Sequence, residues 1–289
     1  MTSKMTAKLL DGRQIAHKQN AEIAHKVQGL ITQGKRPPGL AVILIGTDPA
    51  SALYVRKKRE ACEAVGFYSQ AYHFPNTVQA DTLFELISTL NQSANIDGIL
   101  LQLPLPAHLP EKTLIEHISP QKDVDGFHPL NLGKLAQNKP GLRPCTPLGI
   151  MRLLAQTDLE LTGCRACVVG ASNIVGRPVA LELLNQNATV TICQIHTREL
   201  VQHIQHADLL VVAIGKPNFI QGDWLKPGTV VIDVGINRLA NGKIVGDVDF
   251  NSAKEKASWI TPVPGGVGPM TVSSLLQNTL SAALDYNKL

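Results

Sequence analysis

Tyr54 and Lys58 stand four residues apart in Ser51-Ala52-Leu53-Tyr54-Val55-Arg56-Lys57-Lys58, a run that reads as helix. At that spacing the phenol and the amine share one face. A lysine held beside a substrate can move a proton; a surface lysine next to a half-buried tyrosine is the plainer alternative. Gln102 is a second polar group, set near the end of an apolar run that closes at Pro104 and Pro106. A buried amide without a partner costs about 1–3 kcal/mol, so Gln102 is either satisfied in the core or aimed into a site. Asp123-Val124-Asp125-Gly126 adds two carboxylates in a loop. One can serve as a cap or turn residue. The other can clamp an amino-pyrimidine edge through paired hydrogen bonds, and Asp125 suits that role because Gly126 lets the backbone come close.

A further feature suits phosphate. The strand at 166–169 runs into Gly170-Ala171-Ser172-Asn173-Ile174-Val175-Gly176-Arg177-Pro178, followed by a helix pattern. Strand, glycine turn and helix form the context of a dinucleotide site. Gly170 permits a tight turn and Gly176 close packing of helix on strand. Free N–H groups at the helix start would favour an anionic pyrophosphate. Ser172 takes the place of the middle glycine, and a purely structural turn is the alternative. The next strand, 189–193, leads into Gln194-Ile195-His196-Thr197-Arg198 without the acid that commonly holds the ribose of NAD. With Arg177, His196 and Arg198 as nearby cations, this favours NADP, with NAD as the alternative.

These groups must be positioned by two series of alternating helices and strands. Asp11 can cap a helix with Ile15, Ile23, Val27 and Leu30 at helical spacing, ended by Gly34 and Pro37-Pro38. Strands are predicted at 39–46, 68–74 and 97–103, and helices at 49–65 and 80–90. Near-continuous apolar strands with helices between them predict a parallel sheet covered on both faces. Residues 122–147, punctuated by Gly, Pro, Asn and Asp, read as a long loop or linker, with Thr146-Pro147 starting a short helix. A second series places strands at 166–170, 189–193, 209–215 and 229–235, and a last helix at 270–285. Asp233 and Asn237, near a strand end, are cofactor-side polar groups or simple turn residues.

The 289 residues, 44% apolar, suffice for two cores. A net charge of +4 and the absence of any basic run denser than Arg56-Lys57-Lys58-Arg59 argue against a nucleic-acid partner. No apolar run reaches the ~18 residues of a membrane span. Five cysteines and no long apolar stretch near the N-terminus fit a cytoplasmic, reducing location. Cys164-x-x-Cys167 has no second pair and no histidine set, and it runs into an apolar strand; buried thiols acting as small hydrophobes are the better reading. The nine histidines are scattered, so no metal site is expected.

Together these segments resemble the bifunctional methylenetetrahydrofolate dehydrogenase/methenyltetrahydrofolate cyclohydrolase family. The matching stretches, in the family's order, are 51–58, 98–106, 122–126, 144–147, 170–178, 234–237 and Pro262-Val263-Pro264-Gly265-Gly266-Val267-Gly268-Pro269-Met270-Thr271. The resemblance implies an α/β protein of two domains flanking a cleft: a folate-binding catalytic domain over 1–143, with 273–289 packing back as a helix, and a Rossmann-like NAD(P)-binding domain over 144–272. It implies oxidation of 5,10-methylene-tetrahydrofolate with NADP, hydrolysis of the product to 10-formyl-tetrahydrofolate, and a homodimer. Carried over by position, Lys58 is the central catalytic group, Gln102 hydrogen-bonds it, Tyr54 stacks on the folate ring and Asp125 holds the pterin. Leu101 and Leu103 flank the glutamine beside the substrate. Pro264, Gly265, Gly266, Val267 and Gly268 form a mobile wall over the folate. Gly170, Ala171, Ser172 and Ile236 line the cofactor, joined by Gly176 and Arg177 of the turn. Relatives often carry a His-Ser-Arg-Thr-like run where this chain has Gln194-Ile195-His196-Thr197, which leaves Arg177 to meet a 2′-phosphate. A catalytically inactive folate- or nucleotide-binding homologue is the competing reading; Tyr54, Lys58, Gln102 and Asp125 are all present, and losing two of them would have favoured it.

Overall fold

The computed structural model describes residues 6–285. Residues 1–5 and 286–289, which the expected domain bounds include, lie outside the described residues. In chain order the main elements are β1 (Lys8–Leu9), α1 (Gly12–Thr32), β2 (Gly39–Ile45), α2 (Pro49–Ala64), β3 (Tyr68–Phe74), α3 (Ala80–Gln92), β4 (Gly98–Leu101), α4 (Glu111–His117), α5 (Pro129–Ala136) and α6 (Cys145–Leu154). There follow β5 (Arg165–Val169), α7 (Gly176–Asn185), β6 (Thr189–Cys193), α8 (Leu200–Gln205), β7 (Leu209–Val212), β8 (Val230–Asp233), β9 (Asn237–Arg238), β10 (Ile244–Val245), α9 (Phe250–Ala253), β11 (Trp259–Ile260) and α10 (Val267–Asp285). They form two compact units, His17–Cys145 with Val272–Leu289, and Met1–Ala16 with Thr146–Thr271.

The first unit is built on a three-stranded parallel sheet in the order β3-β2-β4. All seven residues of β2 are buried. Because side chains alternate along a strand, Ala41, Ile43 and Ile45 pack with Leu83, Ile87 and Leu114 of the α3–α4 layer. Leu40, Val42 and Leu44 face the other way, onto Ile23 and Val27 of α1, Val55 and Cys62 of α2, and Leu276 and Leu280 of α10. Each such burial stabilises the fold by roughly 1.5–3 kcal/mol, and both faces being covered explains the unbroken apolar run. Asp11 Oδ1 accepts from Arg13 N at 2.9 Å and Gln14 N at 3.2 Å, so it does cap α1.

The second unit carries a six-stranded sheet in the order β1-β11-β8-β7-β5-β6, parallel throughout. Ala166 and Val168 of β5 pack with Ile150, Leu153, Val179 and Leu183, while Cys167 and Val169 face Ile204, Leu225 and Ala253. The five cysteines are buried free thiols. No helix among the described residues is long and apolar enough to cross a membrane.

Three expectations need correction. Residues 8–9 do not serve the three-stranded unit: β1 completes the edge of the larger sheet, Lys8 opposite Trp259 and Leu9 opposite Ile260, and Leu10 and Ala16 pack in that sheet's core. Residues 122–147 are not a plain loop. His128 Nδ1 accepts from Leu130 N at 3.0 Å and Pro129 opens α5, while α6 begins at Cys145, so Thr146-Pro147 lies inside its first turn. The strand expected to reach residue 103 ends at Leu101, although Gln102 N still donates to Ile43 O at 2.9 Å.

Candidate active site

Helix α2 starts cleanly, with Pro49 in its first turn and Asp48 Oδ2 accepting from Ser51 N at 2.8 Å. Its buried stripe runs Ser51, Val55, Lys58, Cys62, Val65, steps of four and three residues that keep one face inward. Lys58 therefore occupies a core-facing position and is only 8% exposed, whereas Arg56, Lys57 and Arg59 point to solvent. Arg56 pairs with Glu60 at 3.7 Å and Arg59 with Glu63 at 3.9 Å along the exposed side. The basic run is thus three solvated charges and one buried amine. Tyr54, one turn before Lys58, is half-buried, and burial raises its hydroxyl pKa.

Lys58 Nζ donates to Gln102 Oε1 at 3.0 Å. Gln102 Nε2 donates to Leu103 O at 2.7 Å, so both ends of the amide are used and its oxygen is fixed toward the lysine. Leu101 is buried in the core beside Ile43 and Ile99, and Leu103 is half-buried. The charge of Lys58 also acts on Asp125: burial pushes that carboxyl up to about 6, opposed by the lysine and reinforced by Asp123.

The loop carrying Asp125 is pinned on either side. Asp123 accepts from His128 N and Asn131 Nδ2, both at 2.8 Å, and from Phe127 N at 3.3 Å, so it is the turn residue of the two acids. Val124 O accepts from Asn278 Nδ2 of α10 at 2.9 Å and from Cys145 Sγ at 3.1 Å; Asn278 Nδ2 also donates to Arg143 O at 2.7 Å. Gly126 has φ +77°, and a Cβ there would run into the backbone of Arg143 and Pro144. The structure thus brings Lys58, Gln102 and Asp125 into one electrostatic group, with Tyr54 on the same helix face. Asn278 and Cys145 were not singled out from sequence; a lone Asn in the apolar pattern of the last helix was the available signal.

In the second unit Gly170 closes β5 with φ +127°, and a Cβ on it would press on Ala213 O. Gly176 packs so tightly that a Cβ would collide with Gly170 O. The expected free N–H groups are only partly free. Ser172 Oγ accepts from Val175 N at 3.2 Å and Gly176 N at 3.4 Å, and Ser172 O from Arg177 N at 3.0 Å. The hydroxyl that replaces the middle glycine takes up the N–H of Val175 before α7 and that of Gly176 at its first residue. Ala171 is half-buried and its carbonyl accepts from Arg177 Nε at 3.1 Å, holding that guanidinium at the turn. His196 and Arg198 are exposed beyond β6. Ile236 is 49% exposed after β8, and a Cβ on Gly268 would come within 3.8 Å of its Cδ1. Gly265, Gly266 and Val267 are buried and Pro264 is exposed at the start of α10. Asp233 ends β8 and Asn237 begins β9, and both bind neighbouring groups: Asp233 accepts backbone N–H groups from Gly235, Asp247 and Val248, and Asn237 donates to Asp247.

A parallel sheet with a glycine turn at its carboxyl edge, two glycines placed where any side chain would clash, and a cation tethered beside them fits a nicotinamide dinucleotide. The fold therefore defines an α/β oxidoreductase with a dinucleotide-type sheet in one unit and, in the other, a buried lysine hydrogen-bonded to an amide. The catalytic-domain family of tetrahydrofolate dehydrogenase/cyclohydrolase matches residues 10–125, and the NAD(P)-binding-domain family of the same enzymes matches residues 144–287. The chain belongs to the tetrahydrofolate dehydrogenase/cyclohydrolase family. Among solved structures, the bifunctional methylenetetrahydrofolate dehydrogenase/cyclohydrolase of Campylobacter jejuni is 48% identical, over 96% of this chain and 99% of that one, with a TM-score of 0.95. The Trypanosoma brucei enzyme, solved with NADP and an inhibitor, is 37% identical over 98% of this chain and 99% of its own, with a TM-score of 0.95. The bifunctional enzyme of Thermoplasma acidophilum is 34% identical over 96% and 98%, with a TM-score of 0.89. The chain is accordingly both an oxidoreductase and a hydrolase. It oxidises 5,10-methylene-tetrahydrofolate to the 5,10-methenyl form and hydrolyses that to 10-formyl-tetrahydrofolate.

Proposed function

We propose that Lys58, Gln102, Tyr54 and Asp125 are the catalytic group of both reactions. Asp125 and Tyr54 bind the folate, with Leu101, Leu103 and the segment Pro264, Gly265, Gly266, Val267 and Gly268 as further substrate contacts. Gly170, Ala171, Ser172, Gly176, Arg177 and Ile236 hold the nicotinamide nucleotide. When bound, that nucleotide supplies the hydride acceptor. The protein's part in the oxidation is alignment in a site with little water. In the hydrolysis, water adds to the methenyl carbon and Lys58 Nζ, in its unprotonated amine form, takes a proton from it. The hydroxyl then gives up its own proton as the formyl C=O forms, the bond from that carbon to N5 breaks with its electron pair on N5, N5 is protonated, and 10-formyl-tetrahydrofolate leaves with one net proton released. Gln102 keeps the amine aimed without adding charge.

The observation that carries this reading is the 3.0 Å bond from Lys58 Nζ to Gln102 Oε1 on the buried face of α2, with Asp125 within reach of the same charge. NADP is favoured by Arg177, His196 and Arg198 and by the absence of an acid after β6. The NADP bound to the Trypanosoma brucei relative supports it. We further propose a cytoplasmic homodimer, with folates and not nucleic acid or a membrane as its partners, in which the folate-binding domain is the three-stranded unit. A spectrophotometric assay with 5,10-methylene-tetrahydrofolate and each nicotinamide in parallel tests the cofactor: NADP reduction that requires the folate and exceeds NAD reduction is expected. Faster turnover with NAD would overturn the choice.

A further inference from the structure

We propose that Asp233 and Asp247, two buried acids in the six-stranded unit, are positioning residues for the nicotinamide cofactor, acting through the turn that presents Ile236. The inference rests on the reading of Ile236 as a cofactor contact. Neither acid can touch a ligand, since Asp233 is 3% exposed and Asp247 fully buried. Their hydrogen bonds instead tie the two segments that leave the carboxyl ends of β7 and β8 to the segment that follows β10. Asp233 Oδ1 accepts from Gly235 N at 3.0 Å and Asp247 N at 2.9 Å, and its Oδ2 accepts from Val248 N at 2.9 Å. Asp247 Oδ2 accepts from Ile214 N at 2.7 Å and Gly215 N at 3.0 Å, and its Oδ1 from Asn237 Nδ2 at 2.8 Å. Ile236 is thereby held on both sides, its preceding residue by Asp233 and its following residue by Asp247. The loop after β7 is fixed to the same pair.

The packing is specific to this pair. A Cβ on Gly235 would collide with the Asp247 carboxyl, and one on Gly246 with that of Asp233, so both acids approach the backbone where only glycine leaves room. Two carboxyls placed together out of water are costly unless hydrogen bonds offset the loss of solvent. Both carboxyls serve as acceptors, and every hydrogen bond described to them comes from an N–H. The product of this arrangement is a β-branched apolar side chain kept half in water on a turn that cannot relax, at the edge where ligands of parallel sheets bind. A flat apolar ring is the chemistry such a side chain meets.

The test uses the full chain and three substitutions, Asp247→Asn, Asp233→Asn and the milder Asn237→Ala, which leaves both carboxyls in place. NADP affinity is measured by calorimetry, the KM for NADP in the oxidation, and the rate of 5,10-methenyl-tetrahydrofolate hydrolysis, which needs no nicotinamide. The expected result is a rise in the NADP Kd and KM of roughly tenfold or more, with kcat less affected and hydrolysis unchanged. Unaltered NADP affinity in folded Asp247→Asn and Asn237→Ala would overturn the inference. So would a parallel loss of hydrolysis and NADP binding, the mark of a merely structural role. Wild-type protein that hydrolyses the methenyl substrate but binds no nicotinamide nucleotide would remove the cofactor reading itself, and the inference with it.

Discussion

One amine among four consecutive basic residues faces inward, and its neighbours explain why it can. Lys58 falls on the buried stripe of α2, where its Nζ meets Gln102 rather than water. Replacing it with Met keeps the length and the apolar stem but removes the proton acceptor. Lys58→Met is expected to lower cyclohydrolase activity by roughly 10²–10⁴-fold with an unchanged circular dichroism spectrum; a wild-type hydrolysis rate in that variant would refute the proposed proton transfer. The sequence pointed to this position through Tyr54 and the family resemblance but left a surface lysine open; the buried steps Ser51, Val55, Lys58, Cys62, Val65 decide between them. Asp125 was legible as one of two acids, and its division of labour with Asp123 follows from the donors at 127, 128 and 131. That the Ser172 hydroxyl takes up the N–H groups of Val175 and Gly176 was not legible. A hydroxyl's choice between capping its own helix and leaving the N–H groups open depends on a rotamer that spacing does not fix.

Elements repeat that contrast. The central strands β2, β4, β5, β7 and β8 and the longer helices followed from period and punctuation, since they bury residues in the cores; the short strands β1 and β11 did not. Helix α5 did not. Its eight residues begin after a histidine cap and contain a glycine and an asparagine, a composition that reads as loop until Asn131 and Leu135 are seen buried. Helix α10 has a single buried amide with two clients: Asn278 Nδ2 donates to Val124 O and Arg143 O across the loop that bears Asp125. Asn278→Leu would leave both carbonyls without that donor. Val124 O would keep Cys145 Sγ as a donor, and each lost hydrogen bond costs about 0.5–1.5 kcal/mol, so chemical denaturation should show a loss of that order. The KM for the folate should rise as the loop loosens. A stability equal to wild type would show that the amide does not hold the loop.

Across the whole molecule, buried acids set how stability varies with pH. Asp233 is pushed up to about 7 and Asp125 up to about 6 by burial, against an ordinary value of 3.8. Between those limits the folded chain keeps protons that the unfolded chain has released, so the free energy of unfolding falls as pH rises from about 4 to about 7. For Asp233 the difference corresponds to roughly 4 kcal/mol over that window. Asp233→Asn should flatten the slope whatever its effect on the absolute value; a wild-type slope in the variant would contradict the assignment. The division into units carries a different consequence. β1 pairs with β11, and the three-stranded unit takes in residues from Val272 onward. On a ribosome delivering about 5–20 residues per second, Lys8 and Leu9 emerge roughly 10–50 seconds before Trp259 and Ile260. Neither unit of the nascent protein can finish its core until the residues of α10 have been made.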